Sequence, residues 1–145
     1  MPGYEVTAKL EKMGWHASDT GELSFTDVEV PAENLLGEEN GGFHLIMANF
    51  AWERLDMAIG AVGGMQKVFD RTLEYALERE AFGRPIGKFQ AIRHKFAEMA
   101  TTIEASRALT YNALRLFHEG RDCIREVTMA KLMTQRALLL SLIHI

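Results

Sequence analysis

Apolar residues recur at helical spacing along most of the chain after about residue 43. They fall into two series of similar length, and the members of each series follow the i, i+3, i+4, i+7 spacing of one helix face. The first series is Phe43, Ile46, Met47, Phe50, Met57, Ala58, Ala61, Met65, Val68, Phe69, Leu73 and Ala76. The second is Phe89, Ile92, Phe96, Met99, Ile103, Thr110, Leu114 and Phe117. Each series predicts a long amphipathic helix.

Breaks in the pattern separate these helices and begin a third. Residues 79–88, REAFGRPIGK, contain two glycines and a proline that forbid a continuous helix. Gly120 ends the second helix. Asp122 is suited to cap a third helix that runs from Cys123 toward the C-terminus. The pattern is typical of a bundle of long antiparallel helices.

Two glycines lie one turn apart inside the first predicted helix. Gly60 and Gly64 both lower helix propensity. We therefore expect a second helix to approach closely at these positions.

The first forty residues alternate with the period of β-strands. YEVTAKL, residues 4–10, has the pattern of a half-buried strand. ELSFTDVEVP, residues 22–31, also alternates, but its phase changes between Phe25 and Val28. A bulge near Thr26 and Asp27 would keep both apolar pairs on one face, and the proline at position 31 would end the strand. Two strands do not form a stable sheet alone, so further strands must come from elsewhere.

The sequence thus predicts an α+β fragment in two parts. Residues 1–40 form a segment of a β-sheet or barrel, and residues 41–145 form the long antiparallel helices of a truncated four-helix bundle. GEENGG, residues 37–42, links them. The C-terminal ALLLSLIHI carries no helix stop signal, so we expect the chain to end inside an element, as a fragment does.

Composition narrows the class of protein. An apolar fraction of 48% and a net charge of -4 fit a soluble globular protein and give no signal for nucleic acid or anionic membrane. The most apolar stretch is far shorter than the roughly 20 residues of a membrane span. The single cysteine, Cys123, forms no internal disulfide, fits a reducing compartment and has the pattern of a small, partly buried apolar residue. The histidines show no metal-ligand spacing, so we expect no metal site.

Glu53 and Arg54 stand out because they interrupt an apolar run. On a helix, neither side chain points along an obviously polar face, and adjacent residues diverge by about 100°. One interpretation is a structural ion pair between each residue and a neighbouring helix. The other is a carboxylate whose pKa is raised in a dry pocket, so that it acts as a general base. The pattern alone leaves both open.

The segment between the first two helices is cationic. Arg79, Arg84, Lys88 and Arg93 flank glycines and the aromatic residues Phe82 and Phe89. Such a loop could hold a phosphate or pyrophosphate, although most clusters of this kind are simply solvated.

Longer stretches of the sequence resemble the acyl-CoA dehydrogenase family. Residues 12–43, KMGWHASDTGELSFTDVEVPAENLLGEENGGF, resemble the second half of its middle β domain. Residues 53–100, from ERLDMAIG to FAEMA, resemble the opening of its C-terminal four-helix domain, and YALEREAFGRPIGKFQ is especially specific. The resemblance runs from about residue 3 to residue 136.

The resemblance implies a flavoenzyme of fatty acid metabolism that contains FAD and desaturates an acyl-CoA thioester between its α and β carbons. A carboxylate takes the α proton while the β hydrogen leaves as hydride, and the electrons pass to an electron-transfer flavoprotein. In most members the base lies on a late loop, but in the isovaleryl-CoA and long-chain subgroups it lies on the first long helix, directly before an arginine. Glu53 matches that base and Arg54 matches that arginine, a substrate-pocket residue. Ala51 departs from the pattern, since many members have a substrate-contacting aspartate there.

The resemblance also assigns the cationic loop to the cofactor. Arg79 matches an arginine that binds the FAD pyrophosphate, Gln90 matches a polar flavin partner, and Phe82 matches an aromatic residue of that loop. In the family these contacts reach the flavin of a neighbouring subunit, within a homotetramer. The compartment implied is the bacterial cytoplasm or, in a eukaryote, the mitochondrial matrix.

Much of a family member has no counterpart in this sequence, and the tail LLLSLIHI departs from the family pattern. We therefore expect the 145-residue chain alone to bind FAD poorly and to lack dehydrogenase activity. Two alternatives stay open. One is a related oxidase of acyl-CoA or nitroalkanes, and the other is a non-catalytic helical interaction module in which Glu53 is structural. A late-loop glutamate outside the chain would remove the role of Glu53.

Overall fold

The chain forms two compact units that divide between Gly42 and Phe43. The computed structural model describes the backbone of residues 1–143 and the side chains of residues 1–139. The predicted departure of the tail LLLSLIHI therefore lies almost entirely outside the described side chains, as does His144.

The first unit contains an antiparallel pair of strands, β1 (Tyr4–Lys9) and β2 (Gly21–Phe25). Tyr4 lies opposite Phe25, with ring centroids 5.4 Å apart. A short 3-10 helix at Ala32–Asn34 follows. Both strands are almost entirely exposed, because the described residues of this unit provide no layer that covers either face.

The predicted course of the second strand is wrong beyond Phe25. The Thr26 N–H donates to the Gly3 carbonyl at 2.9 Å, and Asp27 has a positive φ of 50°, which turns the chain away from β1. The strand therefore ends before the residues where a bulge was predicted. The register irregularity lies instead in β1, between Val6 and Ala8.

The second unit confirms the predicted series of long helices. A tight hairpin with a positive φ at Phe82 (54°) and Gly83 (76°) separates the first two, as the loop residues predicted. Its elements are α1 (Gly42–Glu78), β3 (Glu80–Ala81), β4 (Arg84–Pro85), a 3-10 turn (Ile86–Lys88), α2 (Gln90–His118) and α3 (Ile124–Ile143).

Both ends of the α2–α3 connection follow the predicted chemistry. Gly120 has a φ of 67° just after α2, a conformation that glycine adopts without steric cost. The Ile124 N–H at the start of α3 donates to the Asp122 carboxylate at 3.3 Å. These residues stop one helix and start the next.

The three helices pack around two apolar clusters. The first joins Leu55 and Ala58 of α1 to Ala113 and Leu116 of α2 and to Val127 of α3. The second is formed by Val62, Met65, Ile103 and Ala137. As the contacts advance along α1 they move back along α2, so these two helices are antiparallel, and the same reversal relates α2 to α3.

The two glycines of α1 behave differently. A Cβ at Gly64 would lie 3.7 Å from Leu138 Cδ1 of α3, so Gly64 does lie at a helix–helix contact. A Cβ at Gly60 would meet nothing within 4 Å, so the close approach predicted there is wrong for the described chain. In the part of the chain that the structure describes, no helix is long and apolar enough to cross a membrane.

Candidate functional site

Glu53 lies on the outward face of the first half of α1. Its carboxylate is exposed and accepts a hydrogen bond from Asn49 Nδ2 at 2.5 Å, one turn earlier in the helix. No described element covers that face, so the dry pocket that a general base needs stays a prediction. Arg54 is partly buried, and its Cζ lies 5.7 Å from the centre of the Phe50 ring.

Neither charge has an ion-pair partner among the described residues. The ion pairs of the described chain involve Lys9, Arg107, Arg115 and Arg121 with nearby acids. The structural ion-pair interpretation of Glu53 and Arg54 therefore finds no support within this part of the chain.

The surface around Glu53 is apolar and open. Phe43, Ile46 and Met57 are exposed although they occupy the predicted apolar stripe of α1. Trp52 is also exposed on one side, while its ring lies 5.6 Å from that of Phe117. A carboxylate on such a surface would lose its water as soon as a ligand or another element covered it. Desolvation raises the pKa of a carboxylate and makes it a stronger base.

The hairpin after α1 presents the second group of predicted residues. The backbone of Arg79 joins the two sides of the hairpin, because its carbonyl accepts from the Ile86 N–H at 2.7 Å, and its side chain is exposed. Phe82 at the tip is 97% exposed, and its ring centroid lies 6.2 Å from that of Phe89. Gln90 is the exposed first residue of α2.

This end of the helical unit fits an anionic group. The N-terminus of α2 has no side-chain cap, so its first N–H groups and the positive end of the helix dipole lie beside Gln90. Arg84 stacks on Phe89, with Cζ 4.2 Å from the ring centre, which leaves Arg79 as the exposed guanidinium nearest the end of α1. A pyrophosphate requires cations and free N–H donors, which Arg79 and the first amides of α2 can supply. The aromatic ring system of a flavin requires an apolar partner, which the exposed Phe82 ring can supply.

The two predicted groups do not meet within one chain. Glu53 and the last residue of α1, Glu78, lie about 37 Å apart along the continuous helix, at roughly 1.5 Å per residue. The structure places Glu53 and Arg54 within α1, and it places Arg79, Phe82 and Gln90 in and beside the hairpin that follows α1.

Sequence reasoning missed a polar network between α1 and α2. Arg107 Nη2 donates to Gln66 Oε1 at 2.5 Å, and Gln66 Nε2 donates to Asp70 Oδ1 at 2.8 Å. The hydroxyls of Ser106 and Thr110, on buried residues of α2, have no hydrogen-bond partner in the described chain. The sequence did contain a sign of this network, because two polar residues, Ser106 and Thr110, lie one turn apart on the buried stripe of α2.

Among the described residues, no group of three or more histidine, cysteine or acidic side chains could hold a metal ion.

A family model described as "Acyl-CoA dehydrogenase, C-terminal domain" matches residues 40–140. The chain is 44% identical over 130 residues to an acyl-CoA dehydrogenase of Bacillus subtilis, covering 90% of this chain and 34% of that protein. It is 42% identical over 134 residues to the mitochondrial isovaleryl-CoA dehydrogenase of Oryza sativa, covering 90% and 33%. The chain thus spans about a third of the length of these relatives.

Solved structures share the fold. A chain in a structure titled for the electron-transferring flavoprotein of Acidaminococcus fermentans superposes with a TM-score of 0.85 at 42% identity, covering 94% of this chain and 36% of that one. PigA with FAD and proline superposes with a TM-score of 0.91 at 27% identity, covering 97% and 37%.

Proposed function

The chain belongs to the acyl-CoA dehydrogenase family, and from that premise we propose that it supplies part of the active site of an FAD-dependent enzyme that desaturates an acyl-CoA thioester. We assign this activity to a complete protein of the length of its relatives, of which the chain spans about a third. The 145-residue chain alone is proposed to bind FAD poorly and to lack turnover.

Glu53 is the proposed base. The observation that carries this proposal is that the Glu53 carboxylate has no ion-pair partner among the described residues and lies among exposed apolar side chains of α1. A fatty acyl chain lying on that face would exclude water from the carboxylate and raise its basicity. Glu53 would then take the α proton of the thioester, which the adjacent carbonyl makes acidic.

Arg54 is proposed to shape the same pocket. Its guanidinium lies near the Phe50 ring, which holds the cation against the aromatic face beside Glu53. From there it can contact the polar part of the substrate or orient the base. The methyl group of Ala51 offers no polar contact of its own.

FAD is the proposed cofactor, and when bound it supplies the acceptor for the β hydride. Arg79 would pair with the pyrophosphate, Phe82 would pack against the ring system, and Gln90 would donate or accept a hydrogen bond at the start of α2. Because these residues lie far from Glu53 along α1, one subunit would contribute Glu53 to a site whose flavin contacts come from a neighbour. This distance supports a homo-oligomer, which the family resemblance implies to be a tetramer.

The remaining proposals concern electron transfer and compartment. A solved structure titled for the electron-transferring flavoprotein of Acidaminococcus fermentans contains a chain similar to this one, which supports such a protein as the electron acceptor. The cytoplasm of a bacterium or the mitochondrial matrix is the proposed location.

The test is spectroscopic and uses the complete protein. It should copurify with an oxidised flavin spectrum, and anaerobic addition of an acyl-CoA should bleach the flavin. Arg79→Gln should lower the flavin content, whereas Arg84→Gln, whose side chain stacks on Phe89, should retain it. Rapid reoxidation of the bleached protein by oxygen would identify an oxidase instead. A colourless protein that acyl-CoA leaves unchanged would contradict the proposal and favour an interaction module.

A further inference from the structure

One polar residue interrupts the apolar side chains that precede Glu53. Residues 45–52, LIMANFAW, are apolar except for Asn49, which lies one turn before Glu53 in α1. Asparagine is a poor helix former, because its side chain competes with the helix for backbone hydrogen bonds. Side chains one turn apart lie on the same face of a helix and can touch. Asn49 therefore weakens α1 slightly and gains a contact with Glu53.

This contact is a hydrogen bond to one of the two carboxylate oxygens. Asn49 Nδ2 donates to Glu53 Oε1 at 2.5 Å. Among the described residues, no other hydrogen bond or ion pair reaches the Glu53 carboxylate. The Oε2 atom is therefore the oxygen that stays free to accept a proton.

The backbone that carries this pair is held by the rest of the helical unit. Leu55 and Ala58, on the far side of α1, are fully buried in the first apolar cluster. Gln135 Nε2 of α3 also donates to the Met57 carbonyl at 3.2 Å. The Glu53 side chain, in contrast, is long, flexible and exposed, so its carboxylate samples several positions unless a neighbour restrains it. The hydrogen bond from Asn49 supplies that restraint.

The same hydrogen bond affects which protonation state of the base is favoured. An amide N–H bonds an ionised carboxylate more strongly than a neutral acid, so it favours the ionised form. A bound acyl chain acts in the opposite direction, because it removes water from the carboxylate. The nearest charged side chains along α1 are Arg54 and Asp56, and no other described element covers this face. Asn49 is thus the described group that can keep Glu53 ionised while a substrate excludes water.

We propose that Asn49 is a positioning residue for the general base, because its amide holds Glu53 Oε1 and leaves Oε2 free for the α proton of the thioester. The proposal rests on Glu53 being the base of the proposed function, and it adds the residue that orients this base. Asn49 itself takes no proton. The α C–H bond breaks, its proton forms an O–H bond at Oε2, and its electron pair enters the new α–β double bond as the β hydride leaves.

The test measures the anaerobic rate of flavin bleaching in the complete protein at saturating acyl-CoA, between about pH 5 and pH 9. Asn49→Leu keeps the approximate size of the side chain and removes the donor. The limiting rate at high pH should fall by roughly threefold to tenfold, because the carboxylate is no longer restrained. The midpoint of the acid limb should rise by about one pH unit, because the lost bond favoured the ionised form.

Two further variants at the same position separate the donor from the shape of the side chain. Asn49→Gln retains an amide donor and should return the midpoint most of the way to that of the unmodified protein. Asn49→Asp has nearly the same shape but brings a like charge beside Glu53, so it should raise the midpoint at least as far as Asn49→Leu does.

Asn112→Leu is the matched control. Asn112 is exposed on α2, and its Oδ1 accepts a hydrogen bond from Arg115 Nη2 at 3.3 Å, so the same substitution removes a helix-surface hydrogen bond elsewhere. This variant should keep both the limiting rate and the midpoint. Flavin content and circular dichroism show that each variant is folded and loaded.

Three results would overturn the role of Asn49. They are an Asn49→Leu protein with an unchanged rate and midpoint, an equal change in Asn112→Leu, and a higher half-saturating acyl-CoA concentration at an unchanged midpoint, which would make Asn49 a substrate contact. Failure of the proposed function is distinguishable. A complete protein that does not bleach, or whose Glu53→Gln variant bleaches at the unmodified rate, removes both assignments, whereas Glu53-dependent bleaching that Asn49→Leu leaves unchanged removes only that of Asn49.

Discussion

At the scale of single residues, the apolar pattern identified unusual side chains but not their surroundings. Glu53 and Arg54 were singled out because charge interrupted a hydrophobic run, and the structure places both on α1. Their exposure could not be predicted, because it depends on which elements cover α1. The turn at Thr26 and Asp27 was missed for a related reason, since a positive φ at a non-glycine residue leaves no mark in an alternating pattern.

Cys123 offers a test of burial at this scale. It was predicted to be a small apolar residue, and the structure buries it in the first core cluster. Burial, with smaller contributions from the Asp122 and Glu126 carboxylates, raises the pKa of its thiol above the ordinary value. Because the thiolate is the reactive form, we expect alkylation by iodoacetamide at pH 8 to be at least tenfold slower in the folded chain than in urea.

The raised pKa of the Cys123 thiol also makes the free energy of unfolding depend on pH. The folded state holds the proton more tightly than the unfolded state, so the contribution of Cys123 is present below the ordinary thiol pKa and is lost as pH rises above it. Cys123→Ala should remove that alkaline dependence, as urea unfolding between pH 7 and pH 10 would show. Equal alkylation rates in the folded and unfolded states would contradict the assigned burial.

At the scale of elements, helix boundaries were the most predictable feature. Apolar spacing gave the helices, and the turn residues between them gave their ends, because the free energy of a cap or a tight turn is local. The length of β2 was less predictable, since a strand needs partners from distant sequence. A close helix contact was predicted at both Gly60 and Gly64, and the structure has one only at Gly64. Low helix propensity shows that glycine destabilises the helix, but it does not show whether a neighbouring helix packs there.

Two glycine substitutions test this reasoning with opposite expected signs. Gly60→Ala adds a methyl group in open space inside α1, so it should raise the free energy of unfolding by about 1 kcal/mol through helix propensity. Gly120→Ala places a residue with a Cβ at a positive φ, so it should lower the free energy of unfolding by about 1 kcal/mol. Urea unfolding of both variants and of the unmodified chain measures these changes in the free energy of unfolding. Two changes of the same sign would contradict the assigned roles.

At the scale of the whole molecule, the chain carries surfaces that its own residues do not complete. Two surfaces lack a covering element among the described residues. They are the exposed strands of the first unit and the apolar face around Glu53. The sequence predicted the family. The two groups of site residues stay predictions, because the chain spans about a third of the length of its relatives.

The central claim is that Glu53 is the general base. In the complete protein, the rate of flavin bleaching by saturating acyl-CoA under anaerobic conditions measures flavin reduction, which requires removal of the α proton. Glu53→Gln should lower that rate by roughly 10²- to 10⁴-fold, with flavin content and melting temperature unchanged, because the carboxylate has no ion pair among the described residues. Asp56→Asn, an equal loss of charge one turn further along α1, should keep the rate. A Glu53→Gln protein that bleaches at the unmodified rate but melts at a lower temperature would contradict the account and make Glu53 structural.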